Sequence, residues 1–338
     1  MNHEIDLNKY EIRTDLAIET LERSTNLEGI KQTINNIDDI KITNVLITGK
    51  NKLNKKEGIY TTIEFDDITD SMNRKKVEKI FVKELKKLLT KEKINNDSSC
   101  LIIGLGNDKS TPDSLGPLVI DKVLVTNHIY MLEGLDEGFR RVCALNPGVT
   151  GETGIETSDI IISIVNKLKP DFLIAVDALA SGSIDRVNKT VQMTNTGIHP
   201  GSGIGNKRKE ISKETLNIPV IAIGVPTVVD AVTIVSDTFN YMYKHFSYNK
   251  NNKPNKLAIG QTNYLKENIK IEENDKKELL GLVGNLTEEE IKQLIFEVLT
   301  PIGYNLMVTP KEVDFVIEKL SLLISEGINK TLHKNYLN

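Results

Sequence analysis

The spacing of hydrophobic positions changes several times along this chain. Lys41–Thr48 (KITNVLIT) and Ile59–Phe65 (IYTTIEF) are rich in β-branched residues and predict two strands, with a Lys/Asn-rich turn at Asn51–Gly58 between them. Lys75–Leu89 sets Val77, Ile80, Phe81, Leu85, Leu88 and Leu89 on one helical face. Three short, unbroken apolar runs follow: Cys100–Leu105 (CLIIGL), Phe172–Val176 (FLIAV) and Pro219–Gly224 (PVIAIG). Strands covered on both faces read this way. Helical patterns accompany them at Leu115–Val125, Ile160–Leu168 (with Thr157 or Ser158 placed to cap it) and Val228–Met242. Strands alternating with helices predict an α/β layered fold with a mostly parallel sheet.

Beyond Phe246 the pattern weakens. Tyr248–Lys256 (YNKNNKPNK) reads as a linker or long surface loop. Thr287-x-x-Glu290 is a capping box that opens an amphipathic helix ending near Pro301. Thr309-Pro310-Lys311-Glu312 opens another, with Val313, Val316, Ile317, Leu320, Leu323 and Ile324 on one stripe. The expected organisation is a polar arm at 1–15, an α/β core at 16–248, and a linker with a helical C-terminal appendage at 249–338.

Composition narrows the function classes. The chain has 338 residues, 39% hydrophobic and 27% charged, which suits an ordinary globular core. A net charge of −4 supplies no global basic field, so no direct nucleic-acid binding is expected. No apolar stretch is long enough for a signal peptide or a membrane span, which makes the cytoplasm the expected location and leaves no membrane partner. Two cysteines, Cys100 and Cys143, build neither a disulfide framework nor a four-thiolate metal site, and Cys100 opens an apolar run as a small hydrophobe.

In open α/β sheets, sites form beyond the carboxyl ends of the strands. That rule selects Gly104–Pro117, Asp177–Ser181 and Gly224–Asp230, and each carries an aspartate. Asp113 precedes a helical pattern, so it is either a helix cap or a site carboxylate. Asp177 leaves an apolar run and needs polar partners. Asp230 reads more easily as a plain partner of a helix N-terminus. Two neighbouring carboxylates can share a proton, so that one activates water while the other protonates a leaving amine. Gly104-x-Gly106 lacks the third glycine of a dinucleotide fingerprint, with Lys109 in its place, and no cofactor is expected. Thr196–Lys209 is a glycine-rich loop carrying His199, Lys207 and Arg208; it reads as a solvated surface loop or as a lid that meets acidic substrate side chains. No HExxH motif is present, and no metal ligand set is expected.

Several long blocks resemble one family. They are YEIRTDLAIE near the N-terminus, then GLGNDKSTPDSLGP, ALNPGVTGETGIETSDII, KPDFLIAVDALASGSIDRVNKTVQ, TNTGIHPGSGIGNKRKEIS and IPVIAIGVPTVVDAVTI. Together they resemble the germination proteases of spore-forming bacteria, nearly continuously from Cys100 to Phe246. The resemblance implies an atypical aspartic endopeptidase, made as a self-processing zymogen, that degrades small acid-soluble spore proteins in the spore core. It implies catalytic roles for Asp113 and Asp177, a processing cut between Asp15 and Leu16, a homotetramer, and a fold similar to that of hydrogenase-maturation endopeptidases. A metal-dependent maturation peptidase and a non-catalytic spore-protein binding module are the alternatives. Ser114 follows Asp113 where maturation enzymes carry a second aspartate, which disfavours the first of these.

Overall fold

The computed structural model describes residues 14–22, 24, 27–49, 55–132, 134, 136–200, 209–251, 273–299 and 306–336. Most of the expected arm, together with Lys207 and Arg208, therefore lies outside the described residues. The strands are β1 (Ile30–Ile37), β2 (Ile40–Ile47), β3 (Gly58–Glu64), β4 (Cys100–Gly104), β5 (Val142–Leu145), β6 (Phe172–Ser181), β7 (Thr190–Thr194), β8 (Val220–Asp230) and β9 (Met307–Val308). The helices are α1 (Ala17–Glu22), α2 (Ser71–Lys91), α3 (Leu115–Ile120), α4 (Asn127–Leu132), α5 (Thr150–Thr153), α6 (Thr157–Leu168), α7 (Lys213–Leu216), α8 (Ala231–Asn251), α9 (Glu273–Leu280), α10 (Glu288–Leu299) and α11 (Val313–Leu332). None of the described helices is long and apolar enough to cross a membrane.

Contacts divide the chain into a larger unit, Arg13–Val228 with Thr309–Asn338, and a smaller one that includes Val229–Val308. The strand order is β1-β2-β3-β7-β8-β6-β4-β5. The α/β class holds, but the expectation of a mostly parallel sheet does not. β4 runs parallel to β5 and β6, whereas β1–β2, β2–β3, β3–β7 and β7–β8 are antiparallel. Hairpin connections need only short turns, so the N-terminal strands add to the sheet without crossover helices.

Within the larger unit, alternation along the central strands sends side chains into two cores. Cys100 and Ile102 of β4, Phe172, Ile174 and Val176 of β6, and Ile221 and Ile223 of β8 pack with α2, α3 and α11. Leu101, Ile103, Leu173, Ala175 and Val220 pack instead with Ile161 and Val165 of α6 and Leu216 of α7. Cys100 sits in the first core as expected, and burial pushes its thiol pKa well up.

Two boundaries differ from the sequence expectation. Helix α11 was expected in an appendage, yet its stripe is part of the first core, because its apolar face lies on α2 and α3. The expected linker also begins too early, since Tyr248–Asn251 is the end of α8. That last turn is held within the smaller unit, where Ser247 Oγ and Lys250 Nζ each lie 2.7 Å from an Asp275 oxygen. The same unit contains a core of Val232, Ile291, Ile295 and Phe296. The capping box at α10 forms as expected: Glu290 N–H donates to Thr287 Oγ1 and Thr287 N–H donates to Glu290 Oε2.

The N-terminal helix α1 is embedded in the larger unit. Ala17 and Leu21 pack on Val45, Ile47 and Tyr60, and Leu16 and Ile18 pack on Leu179. Glu19 is only 2% exposed. Its carboxylate accepts hydrogen bonds from Ser181 Oγ (2.7 Å) and Gly182 N–H (2.6 Å), and Arg186 Nη1 lies 3.4 Å away. Arg186 also reaches Glu22 (2.7 Å) and Glu64 (3.2 Å). Burial opposes the guanidinium charge, but these three glutamates raise its pKa above the ordinary value.

Two stability predictions follow from this packing. Arg186→Ala leaves the Glu19 carboxylate buried beside no guanidinium, and should cost about 3–5 kcal/mol in urea unfolding. A loss under about 1 kcal/mol would show that the network is dispensable. Gly327 in α11 has no room for a side chain, since an added Cβ would lie 2.3 Å from Cδ1 of Phe81 in α2. Gly327→Val should therefore destabilise the larger unit by roughly 1–3 kcal/mol through overpacking.

Candidate active site

The loop after β4 is built on close backbone approach. Gly106 has φ +116°, and a Cβ there would stand 2.0 Å from the Asp113 carbonyl oxygen. Gly116, at the start of α3, would likewise meet the Leu105 carbonyl at 2.1 Å. Glycine at these points lets the chain fold back on itself, so that Thr111–Asp113 forms a 3₁₀ turn against the strand exit. Asn107 N–H donates to both the Asp113 carbonyl and Asp113 Oδ2, each at 3.0 Å. Thr227 Oγ1 donates to the Pro112 carbonyl at 2.6 Å and ties the turn to β8. Ser114, rather than Asp113, occupies the cap position of α3.

Asp177 is 5% exposed. It was expected at a strand end, but β6 continues through it to Ser181. The parallel register aligns Gly104 with Val176, and Leu105 N–H donates to the Val176 carbonyl at 2.8 Å. Gly106, which touches Asp113, is thus one residue from the backbone that carries Asp177. The Thr111–Asp113 turn itself packs against β6. Two of the candidate aspartates are brought onto neighbouring elements in this way. Ala178 N–H donates to Asp177 Oδ1 at 2.9 Å.

The extra length of β6 is used by the N-terminal segment. Asp15 N–H donates to the Ala180 carbonyl (3.1 Å), and Ala180 N–H donates to Asp15 Oδ2 (2.9 Å). Leu16 is 0% exposed. Its side chain packs on Leu179, which shares a face of β6 with Asp177 by the two-residue alternation of a strand. The Asp15–Leu16 bond therefore lies at the exit of the strand that carries Asp177.

The remaining candidates are placed differently. β8 runs through Gly224 to Asp230, so this stretch is strand rather than a loop beyond a strand. Asp230 belongs to the smaller unit and accepts from Val232 N–H at 2.8 Å, which is the capping role that a helix N-terminus offers. His199 is half exposed, with Nε2 3.8 Å from Glu210. No group of three or more His, Cys, Asp or Glu able to hold a metal ion occurs among the described residues.

Sequence reasoning passed over the residues around Asp15. Gln192 stands between Val191 and Met193 of β7, and both of those belong to the first core. A glutamine alternating with such residues in a buried strand was a usable signal, because it must find polar partners. Glu19 and Arg186 gave no local signal, since their pairing spans most of the larger unit's sequence.

The sequence profile of the germination protease family matches residues 7–338. The germination proteases of Bacillus mycoides and Bacillus cereus are 49% identical to this chain, across 98% of it and 96% of their own length. That of Bacillus anthracis is 48% identical over the same shares. A match of this extent places the resemblance on the whole chain: it belongs to the germination protease family, and it is a peptidase.

Proposed function

We propose that this chain is a self-processing endopeptidase that starts the degradation of small acid-soluble spore proteins, with Asp113 and Asp177 as its catalytic carboxylates. One observation carries the reading. The bond expected to be cut, Asp15–Leu16, is held on β6 only three residues beyond Asp177, and the Asp113 turn packs against the same strand. Family membership supports the peptidase chemistry, and the geometry supports a shared location for bond and carboxylates.

The chemistry needs one ionised and one protonated carboxyl group. Two carboxyl groups brought within hydrogen-bonding reach of each other would resist joint ionisation and favour that singly protonated state. The carboxylate takes a proton from water as its oxygen attacks the carbonyl carbon. The carboxylic acid donates its proton to the leaving nitrogen. The substrates are proteins of the spore, and the spore core is the corresponding location. The homotetramer and the hydrogenase-maturation-like fold rest on the sequence resemblance. The lid role of Thr196–Lys209, in which Lys207 and Arg208 would meet acidic substrate residues, rests on the composition of that loop alone.

The test is the first-order rate at which the full chain loses residues 1–15, followed by intact mass. Asp113→Asn and Asp177→Asn should each slow it at least 10²-fold, the scale of general acid–base catalysis. Neither substitution should unfold the chain, and a chelator should leave the parent rate unchanged. Processing of either variant at the parent rate would remove that aspartate from the mechanism. Gly106→Ala should also slow processing, by pushing the Asp113 turn away from β6, while Asp113 itself is intact. Incubation of the chain starting at Leu16 with a small acid-soluble spore protein should yield cuts after acidic residues. Binding without cuts would favour the non-catalytic module.

A further inference from the structure

The carbonyl oxygen of Asp15 has two side-chain donors. Gln192 Nε2 lies 3.2 Å from it and Lys55 Nζ lies 3.3 Å from it. The other end of the Gln192 carboxamide is also engaged, because Oε1 accepts from Ala17 N–H at 2.7 Å. One buried side chain thus grips the backbone on both sides of Leu16. Lys55 Nζ also approaches the Thr14 carbonyl at 3.5 Å. Burial lowers the Lys55 pKa, and the Asp15 and Glu19 carboxylates oppose that shift. Ala180 holds Asp15 from both its N–H and its carboxylate, so the residue has little freedom to turn away.

We infer that Gln192 and Lys55 form an oxyanion cradle for cleavage of the Asp15–Leu16 bond. This rests on the reading that the chain cuts itself there. When water adds to the Asp15 carbonyl carbon, the carbonyl π pair moves onto the oxygen and gives it a full negative charge. The proton lost by water passes to the carboxylate of the Asp113–Asp177 pair. The oxygen pair then returns, the C–N bond breaks, and the Leu16 nitrogen takes the proton of the carboxylic acid. Donors already aimed at the oxygen stabilise the charge as it develops. Ground-state distances slightly above 3 Å suit this role, since such contacts tighten as the charge grows. A neutral amide and an ammonium at one carbonyl exceed what anchoring a polar arm requires. The arm already has the Ala180 pairing and the buried Leu16.

Three variants separate the roles. Gln192→Glu keeps an acceptor for Ala17 N–H and removes the donor to Asp15. Lys55→Gln removes the ammonium, and Lys55→Arg restores a cation. The readout is again the first-order loss of residues 1–15. We expect Gln192→Glu and Lys55→Gln each to slow processing by roughly 10²-fold, the scale of removing one oxyanion donor, with Lys55→Arg recovering part of the rate. Folding and arm docking are measured on the same substitutions in an Asp177→Asn chain, by thermal melting and by the rate of trypsin cleavage after Arg13. The trypsin rate should stay within about twofold of the Asp177→Asn parent, well below the effect of losing a donor, and each variant should still melt in one cooperative step. If the variants process at the parent rate, the cradle is wrong and the self-cleavage reading stands. If trypsin reaches Arg13 faster by the same factor that processing slows, Lys55 and Gln192 only anchor the arm, and the cradle is again wrong. If the parent chain is never cut after Asp15, the cradle and the self-cleavage reading fall together.

Discussion

A buried carboxylate at Glu19 is the constraint on which the rest of the larger unit turns. A charge taken out of water must be matched by fixed partners. The match draws on Ser181 and Gly182 at the end of β6, Arg186 just after it, and the Thr14 hydroxyl ahead of α1, while Arg186 also ties in Glu64 of β3. Satisfying Glu19 therefore locks α1 onto the sheet and, with it, the residues just before α1. Asp15 and Leu16 are held against Ala180 and Leu179 as a consequence. Leu16, Ala17, Ile18 and Leu21 are core, as firmly as any strand.

The carboxylates depend on a second kind of constraint, backbone proximity. β4 and β6 run side by side in parallel, so their exits lie together. A chain leaving β4 must turn back immediately to set Asp113 beside β6, and only glycine at 106 leaves space for the Asp113 carbonyl. Thr227 on β8 closes the other side of the turn. Neither aspartate is positioned by its own helix or strand alone. Each depends on contacts with a neighbouring element.

Much of this was legible in the sequence where the signal is local. The unbroken apolar runs at Cys100, Phe172 and Pro219 became strands buried on both faces, and Thr287-x-x-Glu290 became a capping box. What escaped depends on distant partners. β1 carries Lys31, Gln32, Asn35 and Asn36, mostly exposed, and exists as a strand because it pairs with β2 across a tight turn. β7 alternates Thr, Gln and Thr with Val191 and Met193, and its inward polar row makes sense only once the N-terminal segment lies on it. The extension of β6 past Asp177 has the same origin, since Ala180 pairs with Asp15, 165 residues away. Helix α11 has a plain apolar stripe, but its period says nothing about which surface it will cover.

The burial of Leu16 would also give the proposed cleavage a direction. Before the cut, Asp15 carries one negative charge, close to Lys55. Hydrolysis would add a second carboxylate to the same residue and would free an amine at a residue that is 0% exposed. The new Asp15 carboxylate and the new Leu16 ammonium would both stand in a buried setting, where an ion costs far more than the uncharged peptide group it replaces. The Asp15 side would be driven out into water, while the Leu16 side is retained by its packing and by Glu19. With the two new ends separated, resealing the bond would require a dianionic end to return to a low-dielectric pocket. The fold would thus act as a ratchet on its own N-terminus, converting a chemical step that is nearly reversible in a confined site into one that runs forward only.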